Sequence, residues 1–180
     1  MALKDSAHFQ KGKTRCKTAF VFSCPGKAEE EAKRPVSGPT GENLDKALKY
    51  LNKKVQKKFP WPCKIYYRIT NAWARVEHRG TKRKRSEATD AEIVRQRNIE
   101  RLFKELKRMK IIIACGNKAQ LALCVMLNRH KEIRNSVKCV NVVHLSPRAK
   151  KAQKGRSVRK DIRRWATKVL SQLKKFRSAV

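Results

Sequence analysis

Three consecutive carboxylates, Glu29, Glu30 and Glu31, follow an apolar run and a Pro25-Gly26 turn in a chain with 14 acidic residues against 47 basic ones. A surface that attracts polyanions is weakened by acid, so acid gathered at one point calls for a chemical reason. Carboxylates can activate water or steady a developing cation. Two further apolar runs stop abruptly in polar side chains: IYYRITN ends at Asn71 and CVNVVH at His144. An amide both donates and accepts hydrogen bonds, and an imidazole can donate to a leaving group. A carboxylate, an amide and an imidazole, each ending an apolar run on a chain of net charge +33, imply a hydrolytic site held against nucleic acid.

For these side chains to meet, their runs must be strands that share one end. CKTAFVFSC at 16–24 predicts a first strand, stopped by Pro25-Gly26. Residues 27–42, with Pro35, Gly38, Pro39 and Gly41, predict an irregular loop. Leu44, Ala47, Leu48, Leu51 and Val55 recur at helical spacing and predict a helix over 42–57. A second strand is expected at 64–71 and a mobile basic loop at 74–88. Thr89 and Glu92 match a capping box that opens a helix to about Arg108. KIIIAC at 110–115 predicts a third strand ended by Gly116, followed by a helix over 117–127. A fourth strand at 137–144, a basic loop at 145–156 and a helix over 157–175 complete the chain. Strand and helix alternate four times. The fold class is therefore α/β: a single domain with a central four-stranded parallel sheet and helices on both faces. A basic segment, 1–15, precedes a domain of 16–176. Ligands of such sheets lie beyond the carboxyl ends of the strands. Here those ends are Pro25-Gly26, Asn71, Gly116 and His144, all on one edge.

The charge points to the partner. A length of 180 residues with 40% hydrophobic content suffices for a buried core, whereas 47 Lys and Arg strain any small body that lacks a polyanion to bind. Nucleic acid is the expected partner, with affinity that falls steeply in salt. No run of 18 apolar residues is present, so no membrane partner is expected, and the first 15 residues lack the apolar core of a signal peptide. The six cysteines are not closely paired and fall mostly in apolar runs, which suits buried thiols in a reducing, intracellular setting. Nothing marks an oligomer, and a monomer is expected. Gly12-Lys13-Thr14 is no phosphate-binding loop, because Ala7 stands where that motif needs glycine. Pro62-Cys63 lacks the second cysteine of a deaminase zinc site, and no other zinc spacing occurs. His8, His78 and His130 lie in polar, basic stretches and are expected on the surface.

Several segments together resemble the uracil-DNA glycosylase superfamily. VFSCPGKAEEEAKRPVSGPTGENL at 21–44 is similar to the first motif of the thermostable iron–sulfur uracil glycosylases. That motif reads Gly-Glu-Ala-Pro-Gly-x-x-Glu-Asp, then Gly-Arg-Pro-Phe-x-Gly-x-x-Gly. RITN at 68–71 looks like their Thr-Asn segment, and IIIACGNKA at 111–119 like their apolar strand with its glycine. HLSPRAKKAQKG at 144–155 is similar to the last motif of the single-strand-selective glycosylases, His-Pro-Ser-Pro-Arg and a polar stretch ending in Lys-Gly. The order matches over about residues 18–175. Departures are also plain. Ser23 stands where the family has a glutamate, and Val36 where a phenylalanine stacks on the flipped base. The two cluster cysteines after the Thr-Asn segment look like Arg75 and Gln96, and the N-terminal Cys-x-x-Cys is missing. No iron–sulfur cluster and no other cofactor is expected.

The resemblance implies a DNA glycosylase that turns a base out of the helix, at a cost of a few kcal/mol, and hydrolyses its N-glycosidic bond. Glu29, by its place in the motif, would activate water, with Glu30 in reserve. His144 would donate to the departing base and Asn71 would read the pyrimidine edge. The backbone around Cys24, Pro25 and Gly26 would hold another base oxygen, with Gly116 on the same edge. Leu145, Ser146, Arg148 and Lys150 would enter or grip the vacated stack, while Arg79, Lys82 and Arg83 would clamp phosphates. Val36 gives up stacking of about 1–3 kcal/mol and implies a roomier pocket. A bulky substrate follows, for instance a hypermodified cytosine of invading phage DNA. The alternative is a non-catalytic DNA- or RNA-binding protein on a glycosylase scaffold, which Ser23 and the missing cysteines permit.

Overall fold

Successive side chains of a strand point to opposite faces of its sheet, and here both faces are apolar. In the computed structural model, which describes residues 4–146 and 158–176, strand β2 (Thr18–Phe22) sends Phe20 and Phe22 to one face and Ala19 and Val21 to the other. Strand β4 (Ile111–Cys115) divides in the same way, Ile111, Ile113 and Cys115 against Ile112 and Ala114. Burial on both sides is what parallel strands between two helical layers require. One layer is α2 (Pro39–Lys54), through Leu44, Leu48 and Leu51, and α7 (Val158–Lys175), through Ile162, Trp165 and Val169. The other is α3 (Asp90–Ile93), α4 (Gln96–Leu106), α5 (Asn117–Arg129) and α6 (Lys131–Arg134). Each fully buried Leu, Ile or Phe contributes roughly 1.5–3 kcal/mol, so these two layers dominate the stability.

The sheet has five strands in the order β1-β3-β2-β4-β5, with β3 at Arg68–Asn71 and β5 at Lys138–Val142. The four predicted strands are present and mutually parallel. The fifth, β1 (Phe9–Gln10), runs antiparallel to β3 with Phe9 opposite Thr70, and corrects the four-stranded expectation. It lies in the stretch read as a segment ahead of the domain, and two residues carry no alternation that could announce a strand. At the other edge, the Gln172 side chain from α7 accepts from the Asn141 amide at 2.9 Å and donates to the Asn141 carbonyl at 2.7 Å.

Element limits shift in ways that matter for the site. The predicted irregular loop contains a short helix, α1 (Lys27–Ala32), so the three glutamates project from a helical turn. Helix α2 starts at Pro39, where the missing N–H costs nothing. Gly41 in its first turn sits against the Val36 carbonyl, where no side chain would fit. Residues Lys64–Tyr66 form a 3-10 turn ahead of β3 and not part of the strand. Thr89 and Glu92 do form the capping box, but the helix after it breaks at Val94–Arg95 into α3 and α4.

Candidate active site

Hydrogen-bond geometry at the carboxyl edge of the sheet begins with Phe22, the last residue of β2. Phe22 is in register with Asn71 of β3. Its ring meets the His144 ring edge-on, with centroids 5.5 Å apart. The end of β2 thus links Asn71 and His144 at one edge, with Glu29 on the short helix that follows that strand.

His144 is held from several sides. Trp165 Nε1 donates to the Val143 carbonyl at 2.9 Å, and Asn43 Nδ2 donates to the Leu145 carbonyl at 2.9 Å. The Ser146 amide donates to His144 Nδ1 at 3.1 Å. With Nδ1 accepting, the proton of the neutral ring resides on Nε2. Burial pushes the His144 pKa below its ordinary value, while Glu87 and, less strongly, Glu29 pull it back up. The result favours a neutral imidazole that presents an Nε2–H donor. Gly116, with φ of +97°, lies under this ring; a Cβ there would sit 3.3 Å from the His144 Cβ. Its amide also donates to the Val142 carbonyl at 2.8 Å, joining the tips of β4 and β5.

Asn71 is 3% exposed, and its backbone carbonyl accepts from Arg101 Nη2 at 2.8 Å. Its Oδ1 is the sole buried side-chain nitrogen or oxygen without a hydrogen-bond partner among the described residues. Buried polar atoms in folded proteins are nearly always paired, so an orphan acceptor at a strand tip marks a place for a ligand donor.

Glu29 serves the architecture of the turn. Its Oε2 accepts from the Gly26 amide at 2.9 Å and its Oε1 from the Ser37 amide at 3.0 Å, so the carboxylate braces the exit of β2 against the approach to α2. This also corrects the expectation that the Gly26 amide is available to a base oxygen. Pro25 has no N–H, and its carbonyl accepts from the Glu77 amide at 2.9 Å. The Cys24 thiol is pushed up to about 11 by burial, against a hydrogen bond from Ser23, and stays protonated. Glu30 pairs with His78 Nε2 at 2.8 Å, which joins α1 to the basic loop and takes it out of the catalytic reserve.

Other expectations are corrected as well. Val36 is 4% exposed with φ of +46°, packed in the apolar layer with Leu44 and Phe22, and offers no exposed platform for a base. Leu145 is fully buried in the same layer and cannot wedge into DNA without leaving the core. Arg83 is not free to grip phosphate: its Nη1 bonds Glu92 at 2.7 Å and Glu77 at 3.2 Å. The loop expected to be mobile is fixed by that pairing and by Arg85 on the same two carboxylates. His8 and His130 are also engaged, by Glu105 at 3.3 Å and Glu100 at 3.1 Å. Arg79 and Lys82 remain exposed. Arg148 and Lys150 lie outside the described residues.

One residue of the edge escapes the sequence reading. Glu87 accepts from Ser23 Oγ at 2.9 Å across 64 residues of chain. Its signal in the sequence is slight: it is the lone acid within residues 78–89. Arg75 and Gln96, at the positions of the iron–sulfur ligands, supply no thiolate, and among the described residues no group of three or more His, Cys, Asp or Glu is placed to hold a metal. The residues present do not fit a cluster.

No curated protein matches the chain. A family model described as the Uracil DNA glycosylase superfamily matches residues 9–170, nearly the whole chain and every strand of the sheet, β1 included. The match and the α/β architecture together establish that the chain belongs to the uracil-DNA glycosylase superfamily.

Proposed function

We propose that this protein is a DNA glycosylase that removes uracil or a modified pyrimidine and leaves an abasic site. The observation that carries the proposal is the orphan Oδ1 of Asn71. An everted pyrimidine brings a ring N–H or an exocyclic amino group that would satisfy it. His144, with its proton set on Nε2, then faces the negative charge that grows on the departing base. Membership of a superfamily that acts on DNA supports the same reading. The finer proposal is a bulky base, such as a hypermodified cytosine in phage DNA, with a role in defence. The departure of Val36 from the aromatic of the resembling family motivates it, although the side chain itself is packed in the core.

Single-turnover incubation with duplexes and single strands carrying uracil or substituted cytosines, then alkali cleavage at abasic sites, tests both levels. Cleavage is expected for at least one base, and His144→Ala should slow it by about 100-fold or more while DNA affinity persists. Release of uracil alone would sink the bulky-base proposal. The second reading, a DNA- or RNA-binding protein without turnover, is favoured by the engagement of both Glu29 oxygens with backbone amides. It predicts binding with no abasic product from any base.

A further inference from the structure

We infer that Glu87, carried by the loop between β3 and α3 and held by Ser23, is the carboxylate that works opposite His144 in this site. The inference rests on the glycosylase reading and supplies what that reading lacks, a carboxylate not consumed by the fold.

The loop is hooked to the exit of β2 at successive points. Trp73 N donates to the Ser23 carbonyl at 2.9 Å, Glu77 N to the Pro25 carbonyl at 2.9 Å, and the Cys24 thiol to the Ser86 carbonyl at 3.6 Å. Ser23 Oγ then donates to Glu87 Oε1 at 2.9 Å. Both residues of the turn thus grip both residues of the loop tip, and the carboxylate is placed by contacts on its own neighbours. Behind it, Glu77 and Glu92 hold Arg83 and Arg85, so the loop has a rigid base.

Two comparisons separate Glu87 from Glu29. Glu29 has each oxygen on a backbone amide, whereas among the described residues Glu87 Oε2 accepts no hydrogen bond from the protein. Ser23, which holds Glu87, directly follows Phe22, whose ring meets His144 at 5.5 Å, so the Glu87 carboxylate is held at the same strand tip as the imidazole, and it raises the His144 pKa more than Glu29 does. Glu87 is exposed, as a group that must meet water and a nucleotide has to be before substrate arrives.

The step balances without a cofactor. A water oxygen bonds to the sugar C1′ as the bond from C1′ to the base nitrogen breaks, and that electron pair leaves with the base. Glu87 takes the water proton and returns it to solvent. The base anion, held by the Nε2–H of His144, takes a proton from solvent. As the bond to the base stretches, the same carboxylate faces the positive charge growing on the sugar and lowers its energy.

The test compares wild type with Glu87→Gln, Glu87→Asp and Ser23→Ala. Glu87→Gln should lower the single-turnover rate by about 100-fold with DNA affinity and Tm preserved, and Glu87→Asp should restore part of it. Ser23→Ala should show a smaller loss of rate. The titration of the His144 ring, followed by NMR, gives an independent readout. The groups acting on that ring are Glu87 and Glu29, so removing the Glu87 charge should move the midpoint down. A Glu87→Gln rate within about twofold of wild type, or an unmoved His144 midpoint, overturns the pairing. Failure of wild type to make abasic sites on any base overturns the glycosylase reading, and with it the water-activating role; the NMR shift still decides whether the carboxylate and imidazole are paired.

Discussion

Gly116 shows how a single backbone angle governs a functional side chain. Its φ of +97° and ψ of 168° lie in a region that side-chain-bearing residues scarcely enter, and a Cβ would press on the His144 Cβ at 3.3 Å, beside the ring. Gly116→Ala should cost about 1–3 kcal/mol in backbone strain and displace the imidazole as well. The expected outcome is a lower Tm together with a loss of rate larger than the stability change explains, read by thermal melts and single-turnover assays on the folded fraction. An alanine variant of full activity would mean that His144 tolerates movement. Residue roles were only partly legible in the sequence. The placement of Asn71 and His144 at the carboxyl edge could be read because each ends an apolar run. Val36 could not, since nothing in the local pattern reveals its φ of +46° or its place in the core. Glu87 was hidden because its partner Ser23 is distant in the chain, and no periodic pattern reports a contact of that kind.

The loop between β3 and α3 illustrates the same point for an element. Its KRKR run reads as a solvated basic stretch, yet Glu77 and Glu92 turn two of those arginines inward. Arg85 holds the buried Glu77 carboxyl below its ordinary value. Burial opposes ionisation of Glu92, but the Thr89 amide and Arg85 together bring its pKa down to about 2. A carboxyl with a depressed folded pKa is stabilising above its unfolded value, and that contribution is lost as pH falls through the folded one. The loop clamp is therefore complete above about pH 4.5 and fails as pH falls toward 2. Limited proteolysis across that range, with an acid-stable protease, should show cleavage within residues 78–88 before global unfolding. Glu77→Gln should move the onset to higher pH and lower the Tm by several degrees. Simultaneous loss of loop and core would show that the clamp is not a separate unit. Other elements were legible where periodicity was long, as in α2 and α5, and missed where it was short. Helix α1 has six residues between prolines and glycines, and β1 has two.

At the scale of the molecule, the net charge of +33 is what remains once 14 acids are set against 47 bases, so internal pairing leaves most of the bases without an acidic partner. Each phosphate neutralised by a lysine or arginine releases a bound counterion, so affinity must depend steeply on salt. With roughly 6–10 phosphate contacts, DNA affinity should fall about 10³–10⁵-fold between 50 and 200 mM salt, measured by fluorescence anisotropy. A flat salt profile would show that the basic surface has another purpose. The α/β class and the shared strand edge were legible because four apolar runs alternate with helical ones. The fifth strand was not, since its pairing with β3 is a tertiary fact.

That strand and the Gln172 amide share an unplanned-looking but useful result. Each lateral boundary of the sheet is partly occupied, β3 by two residues of β1 and β5 by the Gln172 amide at Asn141. A neighbouring molecule thus finds less vacant ladder on which to lengthen the sheet. Crowded along a polyanion that gathers many copies, the protein is thereby less readily drawn into fibres.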